Sequence, residues 1–328
     1  MAHYLITGGA GFIGSHLAEA LIARGHRVTL LDDLSSGHAG NIAHLGGGCR
    51  FVEACVTNRA VLDPLVQNCD AVFHLAATVG VYNIVRSPVE TIANNINGTE
   101  CVLEAATPAK RKVIIASTSE VYGKGTRSPF SEDDDLLLGP TSKSRWSYAA
   151  SKIIDEFLAL AYWHERGVPA LATRFFNTVG PRQSGRYGMV VPRFLAHALS
   201  GRNLPVHGSG EQSRSFTYVG DVVEWLCRLV EIPGTEGRIF NLGNPSEVTI
   251  RGLAERIIQL TGSASGIDLI PYEQAYEPGF EDIERRLPDI SRIVALTGYL
   301  PRVGLDEAIE RTRDWMLANG LPAKEQAQ

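Results

Sequence analysis

The chain has 328 residues, of which 44% are hydrophobic and 20% are charged, and its formal net charge is −5. Since a single core stops growing at roughly 250–300 residues, this length predicts two lobes. The 31 lysines and arginines are outnumbered by 36 aspartates and glutamates, which argues against a nucleic-acid-binding surface.

The first half of the chain alternates short β-branched segments with amphipathic ones. Strands are predicted at residues 4–7, 27–31, 50–53, 71–75, 112–116 and 170–173. Helices are predicted at 12–24, 61–67, 89–106 and 148–166. This alternation is typical of a parallel sheet covered by helices on both faces.

After about residue 177 the pattern changes to helices mixed with isolated strands and Gly/Pro turns. The helices predicted there are 190–200, 220–231, 250–261 and 305–318. We therefore predict an α/β protein with a Rossmann-like, doubly wound parallel sheet over 1–176 and a smaller mixed α/β substrate lobe over 177–328. Segments near 215–245 are expected to return to the first domain, and a polar tail at 324–328 is expected to fray.

Three glycines lie between the first predicted strand and the first predicted helix, at positions Gly8, Gly11 and Gly14. Gly8 allows a tight turn, Gly11 lets a pyrophosphate approach the backbone, and Gly14 lets the helix pack on the sheet. Amides at the helix start, including those of Phe12 and Ile13, are predicted to bind the phosphates. The loop therefore predicts a dinucleotide site.

The second predicted strand ends in Leu31, Asp32 and Asp33. A carboxylate at this point accepts hydrogen bonds from both ribose hydroxyls and repels a 2′-phosphate, which favours NAD over NADP. The alternative is that Asp32 only caps a turn.

Tyr148 and Lys152 are four residues apart on a predicted helix, so both side chains project from one face. A nearby ammonium group and the nicotinamide ribose are expected to lower the tyrosine pKa, which would make the phenol an acid/base near neutrality. A YxxxK pair alone is more often a surface pair, and it becomes specific in combination with the glycine loop.

Taken together, the motifs resemble extended short-chain dehydrogenases/reductases of the NAD-dependent epimerase/dehydratase family that act on nucleotide sugars. Besides the glycine loop and the YxxxK pair, the resemblance rests on His74-Leu75-Ala76-Ala77, on Ser117-Thr118-Ser119-Glu120-Val121-Tyr122-Gly123 and on Arg174-Phe175-Phe176-Asn177. It covers nearly the whole chain. By similarity, Thr118 completes a triad with Tyr148 and Lys152, carbon 4 of a UDP-linked sugar is oxidised by NAD, and the 4-keto sugar is later reduced again.

The resemblance also implies the remaining cofactor contacts, namely Leu75, Ala76 and Ala77. The family often has an acidic residue after the third strand to bind adenine, but Cys55 stands there in this chain. Adenine recognition is therefore expected through the backbone of Val56. A homodimer is implied through helices 89–106 and 148–166.

The residues after Thr118 bear on the outcome of the oxidation. Sugar 4,6-dehydratases usually have Asp-Glu there, whereas Ser119-Glu120 resembles the UDP-glucuronate decarboxylases. Two further segments, Gly139-Pro140 followed by 143–148, and 283–290, resemble the same group. Arg286 would then face the sugar carboxylate; the alternative is that Arg285 and Arg286 are a solvated pair before a turn.

The substrate lobe carries segments shared by epimerases, dehydratases and decarboxylases. Asn177 and Arg214 are the predicted diphosphate ligands, because an anion needs charge-assisted bonds, and Arg182 is predicted to bind substrate as well. The best interpretation is a UDP-glucuronate decarboxylase-like enzyme, with UDP-sugar 4-epimerase as the alternative and dehydration less favoured. An NAD-binding sensor and a dehydrogenase that releases NADH also stay open.

Several classes of site are not expected. The five cysteines are odd in number and show no metal-ligand spacing, so neither a disulfide framework nor a metal site is predicted. The start of the chain has no signal-peptide pattern, and no apolar run reaches membrane-spanning length. A cytoplasmic location without membrane or nucleic-acid partners is therefore expected.

Overall fold

The structure, a computed structural model, describes residues 1–78, 87–185, 189–275 and 283–320. The strands of these ranges are β1 (His3–Thr7), β2 (Arg27–Asp32), β3 (Cys49–Glu53), β4 (Ala71–His74), β5 (Lys112–Thr118), β6 (Ala170–Phe175), β7 (Thr178–Val179), β8 (Leu204–His207), β9 (Ser213–Ser215), β10 (Thr217–Tyr218), β11 (Ile239–Leu242), β12 (Glu247–Thr249), β13 (Ile267–Ile270) and β14 (Arg285–Arg286).

The α-helices of the same ranges follow in chain order. They are α1 (Phe12–Ala23), α2 (Arg59–Gln67), α3 (Pro88–Ala106), α4 (Trp146–Arg166), α5 (Val190–Leu199), α6 (Val219–Glu231), α7 (Ile250–Thr261), α8 (Tyr272–Ala275), α9 (Ser291–Thr297) and α10 (Leu305–Asn319). The predicted helices and strands of the first half are found with ends shifted by at most two residues. The predicted tail at 324–328 lies outside the described residues.

The main sheet of the described residues has seven parallel strands in the order β11-β6-β5-β4-β1-β2-β3. The chain runs outward from β1 to β2 and β3, and then returns to the other side of β1 through β4. Ligands of such sheets bind at this reversal point, outside the carboxyl ends of the strands. The predicted Rossmann-like α/β fold is confirmed.

Apolar clusters cover both faces of the sheet, as the alternation of side chains along a strand requires. Ile6 of β1 packs on one face with Leu17 of α1 and Trp225 of α6. Its neighbour Leu5 packs on the other face with Leu103 of α3. The sheet is therefore buried between two layers of helices, which leaves its strand ends to form the site.

The second half of the chain has a separate apolar cluster. It is formed by α5, α7 and α10, and includes Phe194, Leu253 and Ile309. The short strands β8 and β13 pair in parallel, and β9 pairs with β12 and β14. β11 and α6, which both fall within residues 215–245, add to the main sheet and to its α1 layer. The division into two domains stays a prediction.

Candidate active site

A cleft of about 1740 Å³ lies at the carboxyl ends of β1 and β4 and extends to the second half of the chain. Every residue predicted to be catalytic or to bind cofactor or substrate lines this cleft. They are Gly8, Gly11, Phe12, Ile13, Gly14, Asp32, Val56, Leu75, Ala76, Ala77, Thr118, Ser119, Glu120, Tyr148, Lys152, Asn177, Arg182, Arg214 and Arg286. Their individual roles stay predictions.

Backbone segments approach each other so closely at Gly8 and Gly14 that neither position has room for a side chain. Gly8 has φ +69°, and a Cβ there would lie 2.8 Å from the Ala76 nitrogen. A Cβ on Gly14 would lie 2.3 Å from the Gly8 carbonyl oxygen. α1 begins directly after Gly11 without a side-chain cap, so its first amides face an anion site at a helix start.

Asp32 ends β2 at the edge of the same cleft and is 8% exposed. Its carboxylate accepts hydrogen bonds from the Leu34 nitrogen at 2.8 Å and from the Ala10 nitrogen at 3.0 Å. Burial raises the pKa of Asp32, although these two hydrogen bonds act to lower it. The carboxylate therefore caps a turn and lines the cleft at once, and the two interpretations do not exclude each other. This carboxylate and the glycine loop fit NAD.

Gly14→Ala is expected to lower the free energy of unfolding by about 1–3 kcal/mol, because the added methyl group overlaps the Gly8 carbonyl. The displaced loop is also expected to weaken NAD binding. Chemical denaturation and NAD titration measure the two effects. Gly47→Ala is the matched control, since a Cβ there has nothing within 4 Å. A Gly14 variant that matches this control in both measurements would contradict the close approach.

The three residues of the predicted triad line the same cleft. Thr118 is the last residue of β5, and its side chain is hydrogen-bonded to that of Tyr148 on α4. Tyr148 is 9% exposed, and Lys152, one turn further along α4, is 2% exposed. The Lys152 ammonium is 2.9 Å from a carboxylate oxygen of Asp155.

The pKa of Tyr148 in the polypeptide alone lies above its ordinary value, and its decrease beside the nicotinamide ribose stays a prediction. Burial, together with the negative charges of Glu120 and Asp155, raises the pKa of Tyr148. Burial is the largest of these causes, and the Lys152 ammonium that was expected to favour the tyrosinate is paired with Asp155. The spacing of Tyr148 and Lys152 in the sequence gives no information about the Asp155 carboxylate.

Glu120 lies between two arginines. One of its oxygens is 3.2 Å from Nη1 of Arg145, and the other is 3.5 Å from Nη1 of Arg286. Arg145 and Arg286 are 6% and 8% exposed. The solvated-pair alternative therefore fails for Arg286 and holds for Arg285, which is exposed and paired with Glu247.

Arg145 was missed by sequence reasoning. It belongs to the segment 143–148, which carried part of the resemblance, and it lies directly before α4, three residues before Tyr148. Its guanidinium also lies 5.0 Å from the centre of the Trp146 ring. The signal was present in the segment, but only the fold shows that Arg145 and Arg286 share one carboxylate.

The predicted diphosphate ligands lie in the second half of the cleft. Nδ2 of Asn177 donates to the Ser215 carbonyl at 2.9 Å. Arg214 is 6% exposed and donates to the Ser213 carbonyl at 2.7 Å. Arg286 is the register partner of Arg214 in the β9–β14 pair, so the two arginines lie side by side on neighbouring strands.

Arg182 has contacts to the first half of the chain rather than to the other substrate residues. Its guanidinium donates to Glu19 at 2.6 Å and contacts Nδ1 of His16 at 2.7 Å. Burial disfavours the charge of Glu19, yet the hydrogen bonds from His16 and Arg182 lower the pKa of Glu19 to about 2. Arg182 thus joins the second half of the chain to α1, and substrate binding by it stays a prediction.

Comparison with known proteins agrees with this geometry. Residues 4–243 match the model of the NAD dependent epimerase/dehydratase family. A UDP-N-acetyl-alpha-D-glucosaminuronate decarboxylase from Bacillus cytotoxicus is 45% identical over 312 residues, which are 95% of this chain and 96% of that protein. UDP-glucuronic acid decarboxylase 1 from Xenopus tropicalis is 38% identical over 94% of this chain and 70% of its own.

A solved structure gives the same picture at the level of the fold. The UDP-glucuronic acid 4-epimerase from Bacillus cereus, in complex with UDP-glucuronic acid and NAD, superposes with a TM-score of 0.86. It is 29% identical, and the match covers 97% of this chain and all of that chain.

Proposed function

The chain belongs to the NAD dependent epimerase/dehydratase family, and on that premise we propose that it is an NAD-dependent decarboxylase of a UDP-linked uronic acid. The predictions of the family, of an enzyme and of NAD as cofactor are confirmed. The similar decarboxylases cover most of the chain at 45% and 38% identity, which supports this reaction over the others.

One observation of the site carries the proposal, namely the pairing of two buried arginines with Glu120. Buried guanidinium groups are costly unless they bind an anion, and their planar forks match a carboxylate. A uronic acid differs from a neutral hexose by a carboxylate at carbon 5. A cleft that Arg286 and Arg145 line together with Tyr148 therefore suits a uronate better than a hexose.

The first stage of the proposed reaction is the oxidation of the sugar at carbon 4. NAD, when bound, supplies the hydride acceptor and donor for carbon 4. Tyr148 takes the proton of the 4-hydroxyl group, which Thr118 orients by a hydrogen bond. A ketone at carbon 4 makes the substrate a β-keto acid.

The second stage is the loss of the carboxylate. Arg286 holds the carboxylate ionised, with Ser119 and Glu120 next to it. The bond between carbon 5 and the carboxyl carbon breaks, its electron pair passes to the carbonyl as an enolate, and carbon dioxide leaves. A proton then adds to carbon 5, and Tyr148 returns its proton to the oxygen on carbon 4.

The test is to incubate the holoenzyme in parallel with UDP-glucuronate and UDP-N-acetylglucosaminuronate and to follow the product mass. Loss of one carbon dioxide from either substrate supports the proposal and identifies the sugar. An isomer of unchanged mass would establish the second candidate, a 4-epimerase, which the Bacillus cereus structure favours. Accumulation of NADH would indicate a simple dehydrogenase, and bound NAD without turnover would indicate a sensor.

We also propose the homodimer implied by the sequence. α3 and α4 present exposed apolar side chains, among them Val89 at 79%, Ile154 at 42% and Phe157 at 68% exposure. Ile154 and Phe157 are three residues apart and so share one face of α4. Of the residues of α4, Phe157 offers the largest apolar area for burial against a second copy.

Phe157→Glu is expected to shift the protein from dimer to monomer, because it places a charge in the apolar contact. Sedimentation velocity at low protein concentration measures the change. Leu317→Glu, at an exposed leucine of α10, is the control and should leave the dimer intact. A wild-type monomer, or a variant that sediments like wild type, would contradict the proposed interface.

A cytoplasmic location without a nucleic-acid partner completes the proposal and rests on the sequence. Over the described part of the chain, no helix combines the length and apolar character needed to cross a bilayer.

A further inference from the structure

A buried ion pair lies within the helix that carries Tyr148. Nζ of Lys152 is 2.9 Å from Oδ2 of Asp155, three residues further along α4. The side chains are 2% and 0% exposed. Burying two charges costs more than a pair of apolar side chains of similar volume, so this pair is weak evidence for stability and calls for a role in the site.

The groups around Lys152 show which of them balances its charge. His74 of β4 has its pKa lowered to about 3 by burial and by Lys152, so its imidazole is neutral at pH 7. Glu156 of α4 binds the Arg174 guanidinium with both oxygens. Glu120, which follows β5, lies between Arg145 and Arg286. Among the described residues, Asp155 is therefore the carboxylate bonded to Lys152.

We propose that Asp155 is a positioning residue that fixes the Lys152 ammonium beneath the cleft and offsets its charge at Tyr148. Tyr148 then keeps its proton until substrate and cofactor are both in place. The charge of Asp155 contributes to the raised pKa of Tyr148, as a carboxylate next to the balancing ammonium should. The proposal concerns the oxidation at carbon 4, so it holds for decarboxylation and epimerisation alike.

The Lys152–Asp155 pair suits a catalytic cycle in which the Tyr148 phenol transfers a proton twice. Tyr148 acts first as a base and later as an acid. A tyrosinate stabilised too strongly by an unbalanced ammonium would be slow to give its proton back. Asp155 favours the return of the proton, and Lys152 favours its removal.

The test is the pH profile of kcat/KM for Asp155→Asn, which removes the charge and keeps the size. Loss of a nearby negative charge lowers the pKa of Tyr148, so the acidic limb should move by about one pH unit toward lower pH. In a second measurement, calorimetric titration of the apoprotein with NAD should show binding at least as tight as in wild type, because the ammonium is no longer held by Asp155. Asp63→Asn, at a partly buried ion pair of α2, is the matched control and should leave both readouts unchanged.

A purely structural role predicts something different, namely a lower rate at every pH with an unmoved limb and weaker NAD binding. That result, or a limb moved toward higher pH, would overturn the proposal. If Asp155→Asn does not fold, Asp155→Ser serves, since it also removes the charge and leaves room for a water molecule. The profile is recorded with whichever nucleotide sugar the wild type converts, so a failure of the decarboxylase assignment is seen separately in the product.

Discussion

Replacing Tyr148 by phenylalanine is expected to lower turnover by about 10²–10⁴-fold, while NAD still binds. The variant loses the one hydroxyl group that is hydrogen-bonded to Thr118 in the triad and keeps the ring that fills the cleft. Without it the 4-hydroxyl group has no positioned base, so the first step of any reaction through a 4-keto sugar fails. Initial rates and an NAD titration measure the two expectations.

Tyr162→Phe is the matched control for this substitution. Tyr162 is a buried tyrosine of the same helix, and it packs in the apolar cluster between the sheet and α3 rather than in the cleft. It should retain wild-type activity. A Tyr148 variant that is as active as this control would contradict the proposed acid/base role.

Arg286→Met is expected to lower kcat/KM for a UDP-uronate by about 10–100-fold, the size of a lost charge-assisted hydrogen bond. The reason is that Arg286 is proposed to bind the sugar carboxylate, together with Arg145 across Glu120. The affinity for UDP-glucose, which has no carboxylate, should change little. Calorimetric titration with both ligands in a Tyr148→Phe background separates binding from turnover.

The neighbouring residue provides the control. Arg285→Met removes an equal charge from β14, but Arg285 is exposed and bonded to Glu247, so its loss should leave both affinities intact. An Arg286 variant that weakens both ligands equally, or neither, would show that Arg286 does not recognise the carboxylate.

The sheet and the cofactor loop could be predicted because their signals are local. The alternation of β-branched and amphipathic segments follows directly from burial on two faces, and Gly8 and Gly14 are required by contacts of the first 76 residues. β11 was not predicted, because a four-residue strand at the sheet edge is defined by its pairing with β6 rather than by its own pattern.

The chemistry of the site was predicted less completely. The sequence indicated Glu120 and Arg286 through resemblance. The ion pairs of Arg145 with Glu120 and of Asp155 with Lys152 could not be predicted, because they depend on distances between side chains that residue spacing alone does not give. Burial is the largest cause of the raised pKa of Tyr148 in the polypeptide, and the charges of Glu120 and Asp155 add to it. The YxxxK spacing predicts that the positive charge of Lys152 acts on Tyr148. Whether Asp155 balances that charge depends on the rotamers of the buried side chains, which the sequence does not give.

The most direct test of the central claim uses UDP-glucuronate labelled at the carboxyl carbon, with UDP-N-acetylglucosaminuronate labelled in the same way as the second substrate. We predict that labelled carbon dioxide is released from at least one of them in step with a UDP-pentose or its acetamido counterpart, without net formation of NADH. Complete retention of the label in an isomer of the substrate would contradict the account and would identify a 4-epimerase.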